Sequence, residues 1–218
     1  MVNEGFTPKI ILKASFSLLP ELKGKTVLEF GNKKNHYGVW RDDYLRAGVK
    51  SYHSVDLNGL DGAIPIDLRS ESAAEQIKEA TGLDSFDIIT NFGTSEHIPV
   101  QRTFYKCVHN ISKPGTFVVH WTPRAHYFKE HGFHGSIWHC NDNFFEELTK
   151  ANNYKVIKPL EFMNGFKIST CVLQMQEQTE FVWLEEFNDL FWYNELWEKS
   201  PDAKLFQELR EGWFDPID

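Results

Sequence analysis

VLEFGNKKNHYG, residues 27–38, opens as an apolar run carrying one acid and halts at a glycine. With Gly24 before it and Gly31 after it, KTVLEF (25–30) has the make-up of a short buried strand. A glycine at the end of such a strand lets a ligand approach the backbone, because no Cβ stands in the way. Beyond Gly31 the pattern changes: Asn32, Lys33, Lys34 and Asn35 follow, and no GxGxxG is present. The dinucleotide fingerprint therefore fails. The stretch is either a cofactor loop of another kind or a strand ending in a polar turn, and the rest of the chain decides between them.

Strands and helices alternate on both sides of the question. GVWRDDYLRAG (38–48) is helical and ends at Gly48, a C-terminal cap. SYHSVDL (51–57) is a second strand and AIPIDL (63–68) an extended third. SAAEQIKEATG (72–82) is helical, FDIITNFG (86–93) is a fourth strand closed by glycine, and VQRTFYKCVHNIS (100–112) is helical up to the Pro114-Gly115 turn. TFVVHWT (116–122) makes a fifth strand. YKVIKPLEFM and FKISTCVLQMQ flank Asn164-Gly165, the strongest short hairpin signal. Such alternation predicts an α/β fold: a Rossmann-like, doubly wound, mostly parallel sheet with helices on both faces.

PKIILKASFSLL (8–19) adds an N-terminal amphipathic helix, and Asn143 with Glu146 has the spacing of a capping box opening FFEELTKAN. In the last forty residues, Phe181, Trp183, Phe187, Phe191, Trp192 and Trp197 predict an aromatic helix that forms a core or interface stripe. No linker or repeat divides the chain. We read one domain over 1–218: an N-terminal helix (1–23), a core (24–177) and an aromatic helical extension (178–218) through which a homodimer could form.

Composition sets bounds on partners. The 218 residues carry a net charge of −8, which argues against a broad nucleic-acid-binding surface. No apolar run approaches a membrane span, and the first twenty residues lack a secretory signal's apolar region. Cys107, Cys140 and Cys171 are odd in number and form no CxxC pair, which suits reduced packing thiols in the cytoplasm.

In open α/β sheets, ligands bind beyond the carboxyl ends of the strands, where the strand order switches. The series VLEFG, YHSVDL, PIDL, FDIITNFGTSEHI and KPGTFVVHWTP, taken in that order, resembles the class I S-adenosylmethionine-dependent methyltransferases. It is most similar to the small-molecule branch of that family. The resemblance spans roughly residues 24–177 and implies a seven-stranded sheet with the last strand antiparallel, which the Asn164-Gly165 hairpin would supply. It departs from the family at Lys33, where a second loop glycine is usual.

By this resemblance the cofactor is S-adenosylmethionine. Gly31 would lie against its methionine part, with Glu29 beneath. Asp56 would accept both ribose hydroxyls, Leu57 would flank the adenine, and Asp67 with Leu68 would hold the adenine amino edge. Asn91, Phe92 and Gly93 would complete the cofactor side. A fixed carboxylate suits a cis-diol because both hydroxyls donate to it. Asp56 could instead cap a turn, although its place after a buried strand favours a ligand, and Asp67, after Pro65, could equally be a turn residue.

Methylation of a hydroxyl needs a base, and His97, His120 and His139 are the candidates. Glu96-His97 also reads as a helix start capped by Thr94 or Ser95, and His120 as a hydrogen-bonded core histidine. Residues 124–142 read as a substrate-facing insertion in which Arg124, Trp138 and Asp142 shape the pocket, although Trp138 could be a core plug. His131, His134, His139 and Cys140 match no standard zinc spacing, and Asn91 stands where a cation site would need an acid, so no metal is expected. The preferred reaction is O-methylation of a sugar hydroxyl on a small-molecule or glycan acceptor. The alternatives are a small aromatic or carboxylate acceptor, or a cofactor-binding partner module without catalysis.

Overall fold

The computed structural model describes residues 17–31, 40–123, 138–140, 143–162 and 168–193. Its centre is a six-stranded sheet built from β1 (Thr26–Phe30), β2 (Ser51–Val55), β3 (Ile88–Phe92), β4 (Phe117–Pro123), β6 (Tyr154–Phe162) and β7 (Ile168–Met175). The strand order is β2-β1-β3-β4-β7-β6. β1 pairs in parallel with β2 and β3, and β3 in parallel with β4. β7, the last of the six in the chain, runs antiparallel to both β4 and β6. Every residue of β1 is buried, as expected of a central strand covered on both faces.

Helices α1 (Trp40–Arg46), α2 (Ala73–Thr81), α3 (Gln101–Asn110) and α4 (Phe144–Ala151) flank the sheet. One face is the larger core. Leu28 and Phe30 of β1 and Val118 of β4 meet Ala74 and Ile77 of α2, Phe104 and Val108 of α3, and Phe144 and Leu148 of α4. The other face packs Val27 and Ile88 against Tyr44 of α1, with Leu19 and Leu22 over them. Side chains alternate between these faces along each strand, so one short strand feeds both cores. Cys107, Cys140 and Cys171 are buried free thiols. Among the described residues, no helix is long and apolar enough to cross a membrane.

Several expectations need correction. The third strand, 63–68, is reduced to a single parallel bridge between Val55 and Ile64. Pro65 follows at once and has no N–H to extend a ladder, so six strands rather than seven form the sheet among the described residues. Asn143 stands at the N-cap of α4 in right-handed helical geometry, without a side-chain cap bond, so the capping box does not form. The aromatic extension is not an α-helix in its described part. Residues 181–184 are extended, Glu185–Leu190 is a 3₁₀ turn, and β8 (Phe191–Tyr193) pairs antiparallel with β5 (Trp138–Cys140).

Residues 181–184 alternate between half-buried Phe181 and Trp183 and exposed Val182 and Leu184. Asn152 clasps this strap: it accepts the Val182 N–H at 2.8 Å and donates to the Val182 carbonyl at 3.0 Å. Phe187 is fully buried, and Phe181, Trp183 and Phe191 pack against the same core. Of the predicted N-terminal helix (8–19), residues 17–19 fall within the described residues; 17 and 18 are helical and 19 is not. The Asn164-Gly165 turn and everything past residue 193 lie outside them.

Candidate functional site

From β1 the chain moves outward to β2 on one side, and β3 lies on the other, so the strand order switches between β1 and β3. In open α/β sheets, the carboxyl ends of the strands at such a switch point are where ligands bind. Both strands end in the same way. Gly31 follows β1 with φ 77° and Gly93 follows β3 with φ 79°, a left-handed turn that glycine makes without strain. The Gly31 N–H donates to Val55 O at 2.8 Å, and the Gly93 N–H to Trp121 O at 2.9 Å. Each turn is thus anchored to the next strand. Thr94 joins the two: its Oγ1 donates to Phe30 O at 2.6 Å. A Cβ at Gly31 would lie 2.1 Å from that oxygen, so glycine is required there by Thr94 itself. Sequence reasoning missed this contact, having taken Thr94 for a cap. Thr94 precedes the 3₁₀ turn Ser95–His97 without a side-chain cap bond.

Glu29 points to the α1 face. It is 3% exposed and accepts a hydrogen bond from the Tyr52 hydroxyl at 2.9 Å. Burial pushes its carboxyl up to about 8, and the Tyr52 bond only partly offsets this. Tyr52 in turn stacks on Tyr44, ring centroids 4.9 Å apart. Tyr52 occurs in the second strand motif, but nothing in its spacing announced a partner for Glu29.

Asn91 points to the opposite face and is fully buried. Its Oδ1 accepts the backbone N–H groups of Thr94 at 3.3 Å and Ser95 at 3.0 Å. Its Nδ2 donates to Ser95 Oγ at 2.7 Å and to His120 Nδ1 at 3.1 Å. The His120 ring therefore carries its proton on Nε2 and is neutral. Burial drives the His120 pKa down to about 3, and the ring packs between Tyr105 and Phe145. This is the core-histidine reading of His120. A base at physiological pH works best with a pKa near that pH. Asn91 likewise spends its side chain on shaping the 91–95 turn, while half-buried Phe92 and Gly93 lead out of β3.

Past β2, Asp56 Oδ1 accepts the Asn58 N–H at 3.1 Å, an Asx turn, so the turn-capping reading of this residue is realised. The carboxylate remains half-exposed at the strand's ligand end, and Leu57 beside it is 53% exposed. Asp67 is different. It is bound by Arg69, whose Nε lies 3.1 and 3.0 Å from the two carboxylate oxygens and whose NH2 group lies 2.6 Å from Oδ2. Leu68 is buried in the larger core and presents no open face.

On the acceptor side, His97 closes the 3₁₀ turn just beyond β3 and is half-buried. Trp138 in β5 donates from Nε1 to Pro99 O at 2.8 Å, and its ring meets Phe191 edge-on at 6.5 Å. These contacts tie the β5–β8 ribbon to the loop after β3. His139 pairs with Trp192 in that ribbon. Arg124, Asp142, His131 and His134 lie outside the described residues, so the substrate-facing insertion is described only at its β5 end.

No protein-family model matches the chain, and no curated protein matches its sequence. Solved structures do match its architecture. A Listeria monocytogenes protein provisionally described as an S-adenosylmethionine-dependent methyltransferase superposes with a TM-score of 0.57 at 14% identity, over 80% of this chain and all of its own. The N-methyltransferase NodS of Bradyrhizobium japonicum, solved with S-adenosylhomocysteine, gives 0.56 at 14% identity, over 80% of this chain and 90% of its own. The 1,6-didemethyltoxoflavin-N1-methyltransferase of Burkholderia thailandensis, also with S-adenosylhomocysteine, gives 0.51 at 13% identity, over 80% of each chain. The chain has the class I S-adenosylmethionine-dependent methyltransferase fold.

Proposed function

We propose that the protein is an S-adenosylmethionine-dependent methyltransferase with its cofactor in the crevice between the carboxyl ends of β1 and β3. The observation that carries this reading is the pair of left-handed glycine turns, Gly31 and Gly93, that flank the switch point of this fold. The residues fit the group in part. The half-exposed Asp56 carboxylate, already oriented by its Asx turn, suits a ribose cis-diol, and the exposed Leu57 side chain suits one face of a purine. When bound, the cofactor supplies an electrophilic methyl on a sulfonium. The chain's contribution is to hold the acceptor in line with it, and such positioning supplies much of the rate.

Of the three histidines proposed as base, His97 takes first place. It sits just past the ligand end of β3, whereas His120 is held neutral in the core. The acceptor we favour remains a sugar hydroxyl on a small molecule or glycan, reasoned from the aromatic and polar content of residues 124–142. Two of the structural neighbours are named as N-methyltransferases, so amines belong in the acceptor panel. The test is turnover: the protein is incubated with radiolabelled S-adenosylmethionine and panels of sugars, amines, phenols and carboxylates. Label transfer to one class, with release of S-adenosylhomocysteine, supports an enzyme. Tight binding of S-adenosylhomocysteine with no transfer to any class would favour the non-catalytic module, and affinity for nicotinamide dinucleotides alone would overturn both.

A further inference from the structure

The parallel ladder between β1 and β3 ends at the pair Phe30 and Asn91. Past that pair no ladder holds the two strand ends in register, and each leaves the sheet near its own left-handed glycine, Gly31 or Gly93. Thr94 bridges them there. Half-buried and 64 residues from Phe30 in the chain, it donates from Oγ1 to Phe30 O at 2.6 Å. The same oxygen stands against the Gly31 backbone, where a Cβ would come within 2.1 Å of it. The Thr94 N–H donates to Asn91 Oδ1 at 3.3 Å, and the Thr94 carbonyl accepts the His97 N–H at 2.9 Å. One residue thus touches the end of β1, the end of β3 and the 3₁₀ turn that carries His97, through three different groups.

We infer that Thr94 is a positioning residue: its hydroxyl fixes the Gly31 turn relative to the 93–97 segment, so that a ligand lying across both strand ends meets a preformed site. This rests on the cofactor reading above and goes beyond it by assigning the register of the two turns to one side chain. Without the Thr94–Phe30 bond the ligand itself must order the two turns, and that cost is taken out of its affinity. Geometry suffers as well. His97 hangs from the Thr94 carbonyl, so a shift of Thr94 moves the candidate base relative to the β1 turn, where a misplacement of about 1 Å costs on the order of 100-fold in rate. A residue that served only the fold would behave differently. Its loss would lower stability and leave the affinity of the molecules that remain folded unchanged.

Calorimetric titration of the wild type, Thr94→Val and Thr94→Ser with S-adenosylhomocysteine, with urea unfolding of each alongside, tests this directly. Valine keeps the shape of the side chain and deletes the donor, whereas serine keeps the donor and deletes the methyl. At a temperature where each protein is folded, the valine variant should bind roughly tenfold more weakly, and the serine variant within about threefold of the wild type. Equal affinities for the wild type and the valine variant overturn the inference and leave the cofactor reading standing, whatever the unfolding midpoint does. A loss in valine that serine does not recover also overturns it, because the methyl and not the hydroxyl is then at work. If the valine variant does not fold, amide exchange on the wild type decides. Saturation with S-adenosylhomocysteine should slow exchange of the Gly31 and His97 N–H groups together, and protection of one turn without the other overturns the inference. Failure of the wild type to bind the ligand sinks the cofactor reading, and this inference with it.

Discussion

The two faces of the sheet bury polar groups in opposite ways. On the α3 and α4 face, Asn91 gives and receives four hydrogen bonds, and its partner His120 is held neutral. Every polar atom of the Asn91 amide is engaged, so the network costs little to bury and fixes the shape of the 91–95 turn. On the α1 face, Glu29 has one hydroxyl donor, from Tyr52, and its carboxyl is driven up to about 8 by burial. A buried acid so sparsely partnered is costly, and such groups concentrate at functional sites, although ion-pair networks perturb pKa values too. The Asn91 network is satisfied scaffold, whereas Glu29 on the α1 face carries an electrostatic cost of burial.

The sharpest way to break the comparison is Asn91→Leu. It strands the Thr94 and Ser95 N–H groups and the His120 Nδ1, and should cost on the order of 3–5 kcal/mol in urea unfolding. A loss below 1 kcal/mol would mean that the network is not the scaffold described. The β1 end responds to pH instead. The Glu29 pKa is raised in the folded state above its ordinary 4.5, so folding favours the protonated form. Its contribution is complete below about pH 4.5 and is lost as pH rises through 8. Glu29→Gln should therefore match the wild type at low pH and exceed it by roughly 5 kcal/mol above pH 8, as a shift of this size implies. A gap that does not change with pH would contradict the burial of an ionisable acid there.

Smaller effects sharpen the same map. Asp56→Asn keeps an acceptor for the Asn58 N–H but removes the charge, so stability should hold while S-adenosylhomocysteine binding weakens by roughly 1.5–3 kcal/mol. Equal losses of stability and affinity would make Asp56 a turn residue only. Trp138→Phe retains the ring against Phe191 and deletes the bond to Pro99 O, which should cost about 1 kcal/mol of stability without touching cofactor affinity. A change confined to acceptor KM would return Trp138 to the substrate pocket.

Much of the fold was legible because a central strand advertises itself. TVLEF, IITNF and FVVHW are apolar runs ended by glycine or proline, and the Asn164-Gly165 signal gave the antiparallel hairpin. The third strand failed because a single proline, Pro65, removes the N–H that a ladder needs. The C-terminal extension failed because aromatic residues spaced two and four apart satisfy an extended strap and a 3₁₀ turn as readily as a helix. At the site, strand ends were legible and partners were not. Gly31 was read as space for a ligand, and Thr94, more than sixty residues away, supplies a second reason for glycine there. Asp67 was read as a base-edge acceptor, although Arg69, two residues on, binds it. An Asp-x-Arg spacing was visible, but only the turn geometry shows that the two side chains meet. His120 could be placed on a strand, while its neutrality follows from Asn91 on the neighbouring strand.

The central claim is a location: the cofactor lies across the β1–β3 switch point. A crystal structure of the chain with S-adenosylhomocysteine measures this directly. The account predicts the ligand's ribose hydroxyls on Asp56 and its homocysteine part against the Gly31 and Gly93 turns. A ligand seated elsewhere, with Asp56 and both glycine turns untouched, would contradict it.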